Sequence, residues 1–185
     1  MAETPSQMIP LGTKAPNFIL PDTITGKNLS LSELPSDKAT VITFICNHCP
    51  YVKLIMSKLI ETANEYQKKG IRFISICSND SLNYPQDAPD KMREEALKQH
   101  FPFPYLHDAT QEVAKAYHAA CTPDFFVFDK KLYCVYRGRF DEATPGNGKS
   151  VTGYDLCQAL DNILANKPIN PNQFPSVGCN IKWKK

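Results

Sequence analysis

Residues 39–70 read ATVITFICNHCPYVKLIMSKLIETANEYQKKG, and the hydrophobic period changes in the middle of them. Ala39 to Ile45 is a nearly continuous β-branched run, the pattern of a strand buried on both faces of a parallel sheet. Cys46 to Pro50 interrupts it. From there Val52, Ile55, Met56, Leu59, Ile60, Ala63 and Tyr66 recur at helical spacing, and Lys68-Lys69-Gly70 marks the stop. Ile71 to Cys77 supplies a second buried strand. A strand, an amphipathic helix and a strand in that order set the class as α/β.

The flanks extend this pattern. Asn17 to Leu20 and Lys27 to Leu31 enclose the turn signal Pro21-Asp22…Thr25-Gly26 and predict an N-terminal β-hairpin. Pro89 to Gln99 reads as helix with proline in its first turn, and Phe103 to Leu106 as extended. Asp108 is expected to cap a short helix from Thr110 to about His118, with Gln111 three residues on. Phe125 to Phe128 and Leu132 to Tyr136 are strands joined by a link too short for anything but a hairpin. Thr152, with Asp155 three residues later, is expected to cap a last helix whose stripe is Leu156, Ala159, Leu160, Ile163 and Leu164. The order β-α-β-α-α-β-β-α predicts a central mixed β-sheet flanked by helices. The whole chain, 1–185, is expected to be one domain, with a polar lead at 1–14 and a Pro-spaced tail at 168–185. The tail's Lys182, Lys184 and Lys185 read as a solvated charge run.

Bulk properties bound the function. A chain of 185 residues buries about 70% of its unfolded surface in one core and needs neither disulfide staples nor metal to fold. The net charge is +2 with signs interleaved, which gives no phosphate-binding face, so no nucleic-acid partner is expected. No stretch approaches a membrane span, and Met1 to Lys14 lacks an apolar signal core, so the expected location is cytoplasmic. Seven cysteines are too few and odd in number for a disulfide scaffold. Reactive ones should be gathered locally.

Cys46 and Cys49 lie where the buried strand gives way to the helix. Free N–H groups and the positive end of the helix dipole favour a thiolate there, and a cysteine three residues on can reach the first. His48 lies between them and, if protonated, would add a second stabilising charge and make the pair more oxidising. Pro50 suits the first helical turn, where its missing N–H costs nothing. The bland alternative is two packed small hydrophobes, but CxxC at such a junction in an α/β chain points to redox chemistry. A closed zinc site needs four ligands and no second pair stands at ligand spacing. Cu(I), which selects soft thiolates, remains open. Elsewhere, Cys77, Cys134 and Cys157 read as buried structural thiols, and Cys179 as either a resolving thiol or a packed tail residue.

The motifs CNHCPYV (46–52), SICSND (75–80), CTPDFFVFD (121–129), YRGRFD (136–141), PGN…VTG (145–153) and VGCNIKW (177–183) together resemble the peroxiredoxin-like thioredoxin-family proteins. The opening from Leu11 to Phe18 is similar to the wider redoxin group of alkyl hydroperoxide reductases and thiol-specific antioxidant proteins. The resemblance implies a thioredoxin-like fold with antioxidant or thiol oxidoreductase activity. It further implies a cis Thr122–Pro123 bond facing the active-site cysteines. Cys121 would then lie near the pair, as a third thiol or a wall. The chain departs from peroxiredoxins where Ala39 replaces the proline of P-x-x-x-[TS]-x-x-C, although Thr43 and Cys46 fit its second half. Cys121-Thr122 stands where their peroxide-polarising arginine is found, and Arg137 and Arg139 lie on the next strand. Copper carriers of this fold have CxxxC and a distant histidine, which this chain lacks.

The reading that follows is thiol–disulfide exchange, with Cys46 attacking and Cys49 resolving, supported by His48, Pro50, Cys121, Thr122 and Pro123. Substrates would be protein or small-molecule disulfides or peroxides, with a thiol electron donor and no bound cofactor or metal. A thiol-dependent peroxidase acting through Cys46, and a Cu(I)-binding protein using Cys46, Cys49 and Cys121, are the alternatives.

Overall fold

Every residue from Ala39 to Phe44 is buried, as the unbroken apolar run requires of a strand in mid-sheet. The computed structural model describes residues 3–34 and 36–185; Met1 and Ala2 of the expected lead lie outside them. The strands are β1 (Glu3–Pro5), β2 (Ile19–Pro21), β3 (Asn28–Ser30), β4 (Ala39–Phe44), β5 (Ile71–Cys77), β6 (Tyr105–His107), β7 (Cys121–Thr122), β8 (Asp124–Asp129), β9 (Cys134–Gly138) and β10 (Val177–Asn180). The helices are α1 (Pro50–Gln67), α2 (Pro89–Lys98), α3 (Glu112–Ala116) and α4 (Tyr154–Leu164).

The main sheet runs β6-β5-β4-β8-β9. β4, β5 and β6 are mutually parallel, and β8 and β9 are antiparallel additions, so the expected mixed sheet is present. Side chains alternate between its two faces. Ala39, Val41, Phe125 and Val127 meet α1 and α4, while Ile42, Phe44, Phe126 and Phe128 meet Phe18, Leu31 and Tyr117 on the other side. Each such buried side chain contributes about 1.5–3 kcal/mol. The β2–β3 hairpin falls at the expected turn. Among the described residues no helix is long and apolar enough to cross a membrane.

Four local expectations are corrected, each by a long-range contact. α3 is shorter than Thr110–His118, and its cap residue is Gln111, with φ of 65°. The Gln111 amide is drawn to the carbonyls of Ser78 and Lys182 at 2.6 and 2.8 Å, away from any capping box. Asp108 still accepts the Ala114 N–H at 2.9 Å. α4 is capped by Gly153 in the left-handed region, because the Asp141 carboxylate takes the N–H groups of both Thr152 and Gly153. The lead and the tail are not loose ends. β1 and β10 pair with each other, and β10 pairs with β7, in a separate three-stranded sheet. Lys182 is buried, its ammonium bound to the Asn180 carbonyl and side-chain oxygens, and does not belong to a solvated run.

Candidate functional site

The ends of β4 and β5 and the start of α1 converge on the CNHC loop. Cys49 is the N-cap residue of α1 and Pro50 its first helical residue, so the helix terminus acts on Cys49 and not, as expected, on Cys46 in the first turn. Both sulfurs are nearly inaccessible, Cys46 at 2% and Cys49 at 0% exposure. Cys46 lines a surface pocket of about 130 Å³ together with Val52, Lys53, Met56 and Glu95.

Thr122 touches both sulfurs. Its hydroxyl lies 3.4 Å from Cys46 Sγ, and its carbonyl accepts the Cys49 S–H at 3.1 Å. The Thr122–Pro123 bond is cis, as the resemblance implied. Pro123, Tyr51, Phe140 and Val177 border a shallow groove of about 80 Å³ beside the pair. Cys121 turns away, its thiol towards the Pro123 carbonyl at 3.7 Å, and burial pushes its ionisation up.

Cys46 and Cys49 ionise as one unit. Hydrogen bonding between the sulfurs favours charge on Cys49 against the cost of burial, with further help from Cys179 and the Val52 N–H. The same contact, then burial and the Asp87 carboxylate, push Cys46 well up, against the pull of the Thr122 hydroxyl. One proton therefore leaves below the ordinary thiol range, and the second is held well above it.

Asp87 was not legible in the sequence. It is fully buried and accepts hydrogen bonds from His48 Nδ1 at 2.6 Å, the Asn79 amide at 2.8 Å and the Asn47 N–H at 2.8 Å. Burial alone would raise its carboxyl; the His48, Asn79 and Asn47 bonds outweigh that and hold it low. His48 also stacks on Tyr84, with ring centroids 5.5 Å apart. The imidazole expected to act as a bare positive charge beside Cys46 is thus paired with a carboxylate that opposes a Cys46 thiolate. One signal was present: Ser78-Asn79-Asp80 directly follows β5, beside β4 whose end leads into Cys46, and strand C-termini line the sites of such sheets.

Among the described residues, Cys46, His48 and Asp87 form the one group of three candidate metal ligands within 4.8 Å of one another. The Cys46, Cys49 and Cys121 trio considered for Cu(I) does not gather in this way. Arg137 is bound to the Ile9 carbonyl and Gln173, and Arg139 to Asp155 at 2.6 Å. Thr43 is buried within β4. Cys77 and Cys134 are buried as expected, Cys157 is half-buried, and Cys179 is buried in β10.

Residues 11–136 match a family model described as the AhpC/TSA family. No curated protein matches the chain. An uncharacterized conserved protein of Geobacillus kaustophilus is 52% identical, with 100% of this chain and 97% of that chain covered and a TM-score of 0.98. A hypothetical protein of Sinorhizobium meliloti 1021 is 46% identical, with 98% of each chain covered and a TM-score of 0.95. At 16% identity, the thioredoxin domain of a Bacteroides vulgatus thiol-disulfide oxidoreductase shares the fold, covering 70% of this chain and 89% of that chain at a TM-score of 0.59.

Proposed function

This chain belongs to the AhpC/TSA family and has a thioredoxin-like fold, and on that premise we propose that it is a thiol–disulfide oxidoreductase working through Cys46 and Cys49. The observation that carries the reading is that Thr122 bonds both sulfurs at the N-terminus of α1, one through its hydroxyl and one through its carbonyl.

Cys46 lines the surface pocket, so it is the sulfur that meets substrate. Cys46 gives up its thiol proton to His48 as it attacks one sulfur of a substrate disulfide. The Cys46–substrate bond forms, the substrate S–S bond breaks, and the electron pair departs on the second substrate sulfur, which takes up a proton. His48 lies within 4.8 Å of the Cys46 sulfur and is oriented by Asp87, a placement suited to accepting and returning that proton. Cys49 then attacks Cys46 in the mixed disulfide, the reduced substrate leaves, and a Cys46–Cys49 disulfide remains for a thiol donor to reduce. Pro123 and the groove beside it shape the docking surface. Peroxide reduction through Cys46 is less well supported, because Arg137 and Arg139 are engaged elsewhere.

The test is a Cys49→Ser variant mixed with a small disulfide such as glutathione disulfide. The expected result is a stable one-to-one adduct on Cys46, seen by intact mass and peptide mapping. An adduct on another cysteine, or none, would overturn the reading. Peroxide consumption orders of magnitude faster than that of a free thiolate would move the peroxidase reading ahead.

A further inference from the structure

The β1-β10-β7 sheet aligns Glu3, Cys179 and Thr122 as directly opposed residues, and opposed residues place their side chains on the same face. That face looks onto the start of α1. Glu3 meets the Tyr51 hydroxyl at 3.4 Å, Thr122 meets Cys46, and Cys179, between them, packs in the same buried cluster as Cys49, whose S–H is held by the carbonyl of the opposed Thr122. β10 comes this close because residue 178 is glycine: a Cβ there would stand 2.0 Å from the Thr122 carbonyl oxygen. Cys49 therefore has two thiol neighbours, one from its own loop and one from a strand about 130 residues later along the chain.

We propose that Cys179 is a third redox thiol, which takes over the disulfide from Cys46 to give a Cys49–Cys179 bond. The inference rests on the exchange reading of Cys46 and Cys49. Cys179, as thiolate, attacks Cys49 Sγ in the Cys46–Cys49 disulfide. The Cys49–Cys179 bond forms as the Cys46–Cys49 bond breaks, and the electron pair leaves on Cys46, which takes up the proton that Cys179 gave up. No oxidant is needed beyond the substrate disulfide that made the first bond. The product is an oxidised protein whose outward-facing sulfur is free to attack again.

The surroundings time the step. In the dithiol, burial and then the neighbouring Cys49 sulfur hold the Cys179 proton, while Lys182 favours its release. Once Cys49 is bonded to Cys46 it carries no charge and accepts no thiol proton, so that part of the restraint on Cys179 is gone. Cys179 is therefore freer to ionise once the first disulfide has formed.

The experiment is a non-reducing peptide map of the full-length protein across a glutathione redox series, quenched by alkylation under denaturing conditions. Cys46 and Cys49 fall in one tryptic peptide, 39–53, and Cys179 in another. A Cys46–Cys49 bond is therefore a loop within one peptide, and a Cys49–Cys179 bond links two. The wild type is expected to show both species. Cys46→Ser, which cannot form the first bond, should show neither species. Cys179→Ser, and Cys179→Ala as a second variant with its fold checked by circular dichroism, should lose the linked pair and keep the loop. The proposal is overturned if the wild type shows only the loop at every potential, or if the linked pair maps to Cys46. A failed exchange reading looks different: no loop and no adduct on Cys46, in any variant.

Discussion

Cys46 and Cys49 are three residues apart and live in different media. Around Cys46 are the Thr122 hydroxyl, the buried Asp87 carboxylate, His48 and a pocket bordered by Lys53 and Glu95. Around Cys49 are the Cys46 and Cys179 sulfurs, backbone groups and closely packed apolar side chains. The contrast teaches that the loop separates two tasks. Proton handling and encounter belong to the wet side, and keeping a disulfide away from solvent belongs to the dry side.

Breaking the comparison outright has the largest effect. Cys46→Ser should abolish turnover of a disulfide substrate, by at least about 10³-fold. Cys49→Ser should also stop turnover while still capturing one equivalent of substrate, and rapid mixing followed by acid quench separates the two failures. Next in size is Gly178→Ala, which strikes only the dry side. The added methyl cannot fit against the Thr122 carbonyl, so β10 must move, at a cost of about 3 kcal/mol, or roughly 5–10 °C in Tm. A melt within a degree of wild type would show that β10 does not need its close approach.

Two of the buried carboxyls, Asp124 and Asp87, sharpen the contrast through pH. Asp124, fully buried where β8 leaves Pro123, has its carboxyl pushed up to about 8 by burial, against the pull of Ser176 and the N–H groups of Ala120 and Phe125. Between about pH 4 and 8 the folded protein holds this proton and the unfolded chain does not, so stability falls as pH rises through that window. Asp124→Asn should remove the slope, gaining on the order of several kcal/mol relative to wild type at pH 8 compared with pH 4. Denaturant midpoints at the two pH values check this. Asp87 has the opposite sign. Held low in the fold, it adds stability at neutral pH that is lost as pH falls through its folded value. The smallest expected effect is that of Asp87→Asn on the wet sulfur. With the opposing charge gone, the onset of Cys46 alkylation should move to lower pH and the neutral-pH rate should rise several-fold, read by iodoacetamide kinetics. An unchanged profile would show that Asp87 acts only as a structural anchor for the loop.

What the sequence disclosed divides along the same line. The period-2 and period-3.6 patterns of Ala39 to Tyr66 are local, so β4 and α1 could be placed within a residue or two. Cys46 and Cys49 stood out because CxxC is local, and Pro123 because a resemblance supplied its setting. Asp87 and Tyr84 lie between β5 and α2 in a segment with no period. They reach the site only because β4 and β5 run parallel and end side by side. Cys179 was harder still. Val177–Asn180 is a four-residue strand after a Pro-spaced stretch, and its partners are two other short segments distant in sequence, Glu3–Pro5 and Cys121–Thr122. Propensity over so few residues is weak, and tertiary pairing decides. Gly178 is read as a requirement for close approach only once Thr122 is seen opposite.

The pairing of Glu3–Pro5 with Val177–Asn180 has a practical consequence for anyone handling this protein. Glu3–Pro5 and Val177–Asn180 form one ribbon against the sulfur centre, so a tag or insertion placed within either strand would disturb the setting of the sulfurs. The exposed turn at Gly146-Asn147-Gly148 is a better place to open the chain. A circular permutant, with its old ends linked and its new ends at that turn, should leave the ribbon unbroken and keep the three sulfurs in place.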